Sequence, residues 1–94
     1  YTLSLHDALP ILCHELMMIK VAAKPEQRQG LISIADVFHA KVADVSVDSM
    51  ILEMTGNHNK LEAFLELMGD YEILELARTG MTGLSRGSQD VTYF

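Results

Sequence analysis

The sequence predicts an α+β fold in which two helices pack on one face of a four-stranded antiparallel sheet. Two observations indicate this class within a chain of 94 residues, a length that allows one domain. Short apolar runs alternate with polar residues, as in strands that are half buried. Two longer segments carry apolar residues at i, i+3, i+4 and i+7, the spacing of amphipathic helices. Along the chain the elements follow the order strand, helix, strand, strand, helix, strand.

The first predicted elements are a strand over residues 15–23, ELMMIKVAA, and a helix over 26–39. The strand is a short apolar run that KPEQRQG terminates. In the helix, the i, i+3, i+4, i+7 spacing places four apolar side chains on one face, Leu31, Ile34, Ala35 and Phe38. We expect that face to pack on the sheet.

Residues 41–55 predict a β-hairpin with a turn at Asp48 and Ser49. In its first strand, KVADVSV (41–47), the alternation predicts that Ala43, Val45 and Val47 lie on the same side of the strand. Its second strand ends at Gly56. The residues predicted to face the core are Met50, Leu52 and Met54, and polar residues alternate with them.

The second helix is predicted over 58–68, with Asn57 as its N-cap and Gly69 as a left-handed C-cap. Its apolar face comprises Leu61, Phe64, Leu65 and Met68. The last predicted strand is YEILELAR (71–78). Two right-handed crossovers then place the first and third strands in the centre, giving a ferredoxin-like, ACT-like sandwich. We expect methionines and leucines on the open sheet face and therefore a partner there.

The chain divides into three predicted segments. Residues 1–13 begin with YTLSLHDALPIL, which resembles translated adapter sequence, and are predicted to be a non-native leader. Residues 14–79 are predicted to form the domain. Residues 80–94 are rich in glycine and are predicted to form an extended tail that leaves the sheet.

Composition narrows the functional classes. A formal net charge of -6 argues against nucleic acid and anionic membranes as partners, and no apolar run approaches the roughly 20 residues of a membrane span. The single cysteine, Cys13, cannot form an internal disulfide. We therefore expect a cytoplasmic protein, or a plastid one in a eukaryote.

No catalytic, cofactor-binding or metal-binding residues are predicted. The stretch RTGMTGLSRG (78–87) follows a strand but precedes no helix, so it does not fit a phosphate-binding loop. The histidines of three separate elements have no metal-ligand spacing, namely His14, His39 and His58. Cys13 has no neighbouring base in the sequence, and no nucleophile and base form a recognisable set.

Four blocks in order, ELMMIKV, ADVFHAKVADVS, LEMTGNHNKLEAFLELM and ILELARTGMTGLSRG, resemble the C-terminal domain of the regulatory small subunit of acetolactate synthase (acetohydroxyacid synthase). The resemblance runs from His14 to Gly87. It departs from the family's pattern at His39 and Ala40, where an arginine and a glycine are more usual.

The resemblance implies a non-catalytic regulatory subunit in the biosynthesis of valine, leucine and isoleucine. It implies binding to the large catalytic subunit, which carries thiamine diphosphate, Mg²⁺ and FAD, and a homodimer of small subunits. It assigns feedback inhibition by valine to an N-terminal ACT domain whose NxxGxLxR loop this chain lacks, so we expect a fragment. Arg78 and Arg86 are candidate contacts with another chain.

Three other classes share this order of elements. One is an unrelated ACT-like module that binds a small molecule or dimerises. Another is an acylphosphatase-like enzyme, for which Arg28 follows the first strand in the required place although the glycine pattern is missing. The third is an RNA-binding sandwich, which stacks bases on strand aromatics that the first and third strands here lack.

Overall fold

The computed structural model of the protein describes residues 11–88. These residues form five strands, two helices and two short 3-10 turns. Their order is β1 (Ile11–Ala22), a 3-10 turn (Pro25–Gln27), α1 (Arg28–Phe38), β2 (Lys41–Val45), β3 (Ser49–Gly56), α2 (His58–Leu67), a second 3-10 turn (Met68–Asp70), β4 (Ile73–Arg78) and β5 (Thr82–Ser85).

The sheet confirms the predicted ferredoxin-like topology. Its strand order is β2-β3-β1-β4, and every pairing is antiparallel. Along β1 the pairing with β3 runs from Glu15 opposite Gly56 to Ala22 opposite Ser49. On the other side of β1, Met17 lies opposite Arg78 of β4. The two central strands are therefore β1 and β3, as the two crossovers require.

The predicted count of four strands is one short, because part of the predicted tail forms β5. This strand pairs with the beginning of β1, from Ile11 opposite Ser85 to His14 opposite Thr82. Between β4 and β5, the Thr79 N–H donates to the Leu16 carbonyl at 3.0 Å, so the two strands follow one line along β1.

Two glycines allow the chain to return to the ladder after β4. Gly80 has a φ of 84°, a conformation that side chains disfavour. A Cβ on Gly83 would lie 2.9 Å from Cys13 Sγ and 3.2 Å from the Leu12 carbonyl oxygen. The expectation that the chain leaves the sheet at residue 80 is therefore wrong for Thr82–Ser85. Residues 89–94 and 1–10 lie outside the described residues, and the non-native origin of 1–13 stays a prediction, although β1 begins within that segment.

The core lies between the helices and the inner face of β1 and β3. Among the described residues, the buried apolar side chains are Met17, Ile19, Val21, Ala23, Leu31, Ala35, Met50, Leu52, Met54, Leu61, Phe64 and Met68. This confirms the predicted alternation in β3 and the predicted apolar faces of both helices. Phe38 of α1 meets Phe64 of α2 edge to face, with ring centroids 5.3 Å apart.

Two local predictions are wrong for backbone reasons. The β2–β3 pairing shifts register between Val42 and Asp44, so Val42 packs against the core, whereas Val45 is 52% exposed. The chain after α2 continues into a 3-10 turn, so Gly69 is not a left-handed cap. The left-handed cap belongs to α1 instead, at His39 with a φ of 57°. The predicted N-cap is confirmed, since Asn57 Oδ1 accepts the Lys60 N–H at 2.9 Å.

Candidate partner-binding surface

Arg78 is the centre of a charged cluster that joins three elements. Its Nε and Nη2 donate to the two carboxylate oxygens of Glu15 on β1, at 2.9 and 2.8 Å. Its Nη1 donates to Glu62 on α2 at 2.9 Å. The Gly80 N–H donates to the same Glu15 carboxylate at 3.2 Å. The cluster therefore ties β1, the end of β4 and α2 together.

The electrostatics of this cluster favour the ionised forms. Glu15 is only 7% exposed, and burial alone would raise its pKa. The hydrogen bonds from Arg78 outweigh burial and lower the pKa of Glu15, with the Gly80 N–H acting in the same direction. In turn, the hydrogen bonds to Glu15 and Glu62 raise the pKa of Arg78. We conclude that the ion pair stays charged throughout the physiological pH range.

The two arginines predicted as partner contacts occupy different environments. The side chain of Arg78 is 27% exposed, and its donors serve contacts within the chain. Arg86 lies in the exposed bend after β5. Their contact with another protein stays a prediction. Sequence reasoning missed the partner of Arg78 because Glu15 lies 63 residues away in the sequence.

The open face of the sheet carries a shallow cavity of about 200 Å³ over β1, β3 and β4. Its apolar floor includes Met18, Ile51 and Ala77. Lys20 and Glu75, opposite each other on β1 and β4, form an ion pair at its margin, and this contact lowers the pKa of Glu75. The expectation of methionines and leucines on this face is borne out by Leu16 and Met18 of β1, which alternate with the buried Met17 and Ile19, although most of the strand methionines face the helices.

The edge strand β4 is exposed along all six residues. Its large apolar side chains remain between 40% and 46% accessible, namely Ile73, Leu74 and Leu76. The helices leave most of β4 exposed because α2 packs mainly on β3 and β1 and reaches β4 through the contact of Glu62 with Arg78. Sequence periodicity identified the strand, but it did not indicate that the inner side of the strand lacks a cover.

The other residues considered for chemistry are dispersed. His14 lies on β1, His39 ends α1 and His58 begins α2. Within residues 11–88, no group of three or more histidine, cysteine or acidic side chains could hold a metal ion. No helix of the described chain is long and apolar enough to cross a membrane.

The arginine required by the acylphosphatase hypothesis has another role. Arg28 Nη2 donates to the carbonyl oxygens of Ser46 and Val47, at 3.0 and 2.8 Å. These bonds attach the start of α1 to the loop between β2 and β3. Arg28 therefore stabilises the hairpin, and this arrangement does not support the enzyme alternative.

Comparisons with known sequences and structures show which protein family this chain resembles. The family described as "Small subunit of acetolactate synthase" matches residues 14–87. The acetolactate synthase small subunit of Bacillus subtilis is 46% identical over 79 residues, which cover 84% of this chain and 46% of that protein. The probable small subunit of Archaeoglobus fulgidus is 45% identical over 75 residues, covering 80% and 47% respectively.

A solved structure of the acetolactate synthase small subunit from Thermotoga maritima shares the fold. Its TM-score is 0.77 at 30% identity, and the match covers 95% of this chain and 52% of that one. The chain thus spans about half the length of the relatives it matches. On the family match and these identities, the chain belongs to the acetolactate synthase small-subunit family.

Proposed function

We propose that this chain is a non-catalytic regulatory module of acetolactate synthase, acting in the cytoplasm in branched-chain amino acid biosynthesis. It binds the large catalytic subunit and forms a homodimer. Thiamine diphosphate, Mg²⁺ and FAD belong to the catalytic partner. The observation that carries the proposal is the family match over residues 14–87 at an identity near one half.

The distribution of exposed side chains supports a role in protein binding. The cluster of Arg78, Glu15 and Glu62 is occupied in holding the fold together. One group of accessible apolar residues instead lies on β4 and on the open sheet face, around Met18 and Ile51. A surface of this kind, rimmed by charged side chains such as Lys20 and Glu75, suits a protein partner.

The test is direct binding to a catalytic subunit. The 94-residue chain is mixed with the large subunit of Bacillus subtilis acetolactate synthase, and sedimentation velocity is used to detect the complex. We expect a faster-sedimenting species that contains both chains. Another enzyme that uses thiamine diphosphate serves as the control and should sediment unchanged. Absence of a complex at about 0.1 mM of each chain, where a Kd near 1 μM would saturate binding, would refute the proposal.

A further inference from the structure

We propose that β4 is the surface through which two copies of this chain associate. The two β4 strands pair antiparallel about a two-fold axis normal to the sheet, which passes between the Ala77 residues of the two copies. The sheets then form one continuous sheet with all helices on the same face. This inference rests on the homodimer included in the proposed function and specifies its contact surface.

The two edges of the sheet differ in their protection. The β2 edge is five residues long, shifts register between Val42 and Asp44, and carries Lys41 and Asp44 on its exposed side. Irregular pairing and charges of this kind discourage the addition of another strand. The pairing of β4 also shifts register, between Lys20 and Val21 of β1, and β4 carries Glu75 and Arg78. However, β4 presents three exposed large apolar side chains, Ile73, Leu74 and Leu76, whereas β2 presents only Val45. The more apolar edge, and therefore the better candidate for pairing, is β4.

The backbone of β4 offers the hydrogen-bonding groups that this pairing needs. Thr79 directs its N–H toward Leu16 of β1. Because backbone groups alternate in direction along a strand, the N–H and C=O groups of Leu76 and Arg78 point away from β1. With the axis at Ala77, Leu76 of each copy lies opposite Arg78 of the other. Each of these two pairs exchanges both of its backbone hydrogen bonds.

The side chains are compatible with this register. Ala77 lies opposite Ala77 in the closely spaced pair that exchanges no hydrogen bonds, where small side chains fit best. Glu75 lies opposite Thr79, so no like charges oppose each other directly. Moving the axis to Glu75 would oppose two carboxylates, which is destabilising. The absence of opposed like charges therefore favours the axis at Ala77 over the axis at Glu75.

The association also covers apolar surface on the helical side. Leu76 and Ile73 share a face with their buried neighbours Ile19 and Val21 on β1, yet they are 45% and 40% exposed because no helix covers β4. When two β4 strands pair, Leu76 and Ile73 of both copies lie on one continuous sheet surface between the two α2 helices. The pairing reduces the exposure of Leu76, because Leu76 of each copy lies beside the aliphatic part of Arg78 of the other.

The first test compares one substitution on each edge of the 94-residue chain by sedimentation equilibrium. Leu76→Lys adds a charge to the proposed contact, and Val45→Lys adds the same charge to the β2 edge, where Val45 is similarly exposed at 52%. We expect the wild type and Val45→Lys to dimerise alike. Leu76→Lys should raise the dimer Kd at least about tenfold, or 1.4 kcal/mol. Thermal melts establish that both variants fold.

The second test uses a disulfide. In a Cys13→Ser background, Ala77→Cys should form a linked dimer on oxidation, because Cα atoms in a pair of this type lie about 4.5 Å apart, within disulfide range. Ala63→Cys, on the exposed side of α2, is the control and should remain unlinked. It also reports any linkage that arises from random collision.

The outcomes separate this inference from the proposed function. A monomeric wild type, or a Leu76→Lys variant that dimerises like the wild type, would overturn the pairing through β4. If the chain is monomeric and Leu76→Lys instead abolishes binding to the catalytic subunit, β4 docks that subunit and the self-pairing is wrong. Dimerisation as described, without any binding to the catalytic subunit, would support the pairing and refute the docking proposal.

Discussion

At the scale of single residues, Arg78 stabilises the fold through its contacts within the chain. It is fixed by Glu15 on a neighbouring strand and by Glu62 on a helix. Arg78→Ala would leave the carboxylate of Glu15, which is 7% exposed, without its main donor. We expect a clear fall in melting temperature and only partial recovery in Arg78→Lys, because lysine cannot make the two-pronged contact. If Arg78→Ala melts like the wild type, the cluster does not stabilise the fold.

The lowered pKa of Glu15 predicts a pH dependence with a defined sign. A carboxyl group with a lower pKa in the folded state stabilises the fold above its ordinary pKa, near 4.5, and this contribution is lost as the pH falls through the folded value. Glu15→Gln should therefore be destabilised at neutral pH and lose less stability than the wild type below pH 4.5. Urea denaturation at several pH values measures this difference.

Glu75→Gln is the matched control for that experiment. The contact with Lys20 also lowers the pKa of Glu75, but the Glu75 side chain is 71% exposed. Salt screens an exposed pair strongly, so its smaller effect should disappear at high ionic strength. Equal acid sensitivity in Glu15→Gln and the wild type would contradict the assigned role of Glu15.

Phe64 anchors the contact between the two helices and the sheet. It is fully buried and meets Phe38 edge to face. Phe64→Ala should lower the free energy of unfolding by about 3 to 5 kcal/mol. Leu67→Ala changes a side chain on the same helix that is 48% exposed and should cost less than about 1 kcal/mol. Similar denaturation midpoints for the two variants would show that α2 packs differently.

At the scale of secondary-structure elements, β5 should be dispensable for the sheet. None of the buried apolar residues of the described chain lies after Met68, and β5 pairs with the beginning of β1. A chain that ends at Gly80 should therefore retain a cooperative thermal transition. A chain that ends at Ala77 also loses Arg78 and should melt at a lower temperature. Loss of cooperativity in the longer chain would show that β5 belongs to the core.

The elements also show what the sequence could and could not predict. Strict alternation identified β3, and the i, i+3, i+4, i+7 spacing identified both helices, because those patterns reflect burial on one face. β5 is only four residues long and includes Gly83, so its composition resembles a loop. The packing of Val42 depends on a register shift, which alternation alone does not indicate.

The candidate surface was less predictable than the fold. The sequence suggests Arg78 as a contact with another chain but does not indicate its pairing with Glu15, because that pairing depends on strand order. The exposure of β4 depends on where α2 lies over the sheet. Strand periodicity does not contain that information. Only the general expectation of an uncovered apolar surface could be made from the sequence.

At the scale of the whole molecule, the proposed function predicts the absence of two activities. We expect no acetolactate from pyruvate when the isolated chain is supplied with thiamine diphosphate, Mg²⁺ and FAD, because those cofactors are assigned to the large subunit. We also expect that the chain does not bind valine, leucine or isoleucine with a Kd below about 1 mM, which corresponds to a binding free energy of roughly 4 kcal/mol. Calorimetric titration with valine tests this, since saturable binding with a lower Kd would reveal a ligand site in this chain.

The central position of β1 has a consequence for synthesis on the ribosome. β1 is made before the other described strands, yet one of its sides is completed only when β4 arrives, with Met17 opposite Arg78. At translation rates of about 5 to 20 residues per second, the intervening stretch takes roughly 3 to 12 seconds to make. During that interval Met17, Ile19 and Val21 belong to an incomplete sheet. We therefore expect the nascent chain to be most prone to aggregation just before β4 emerges.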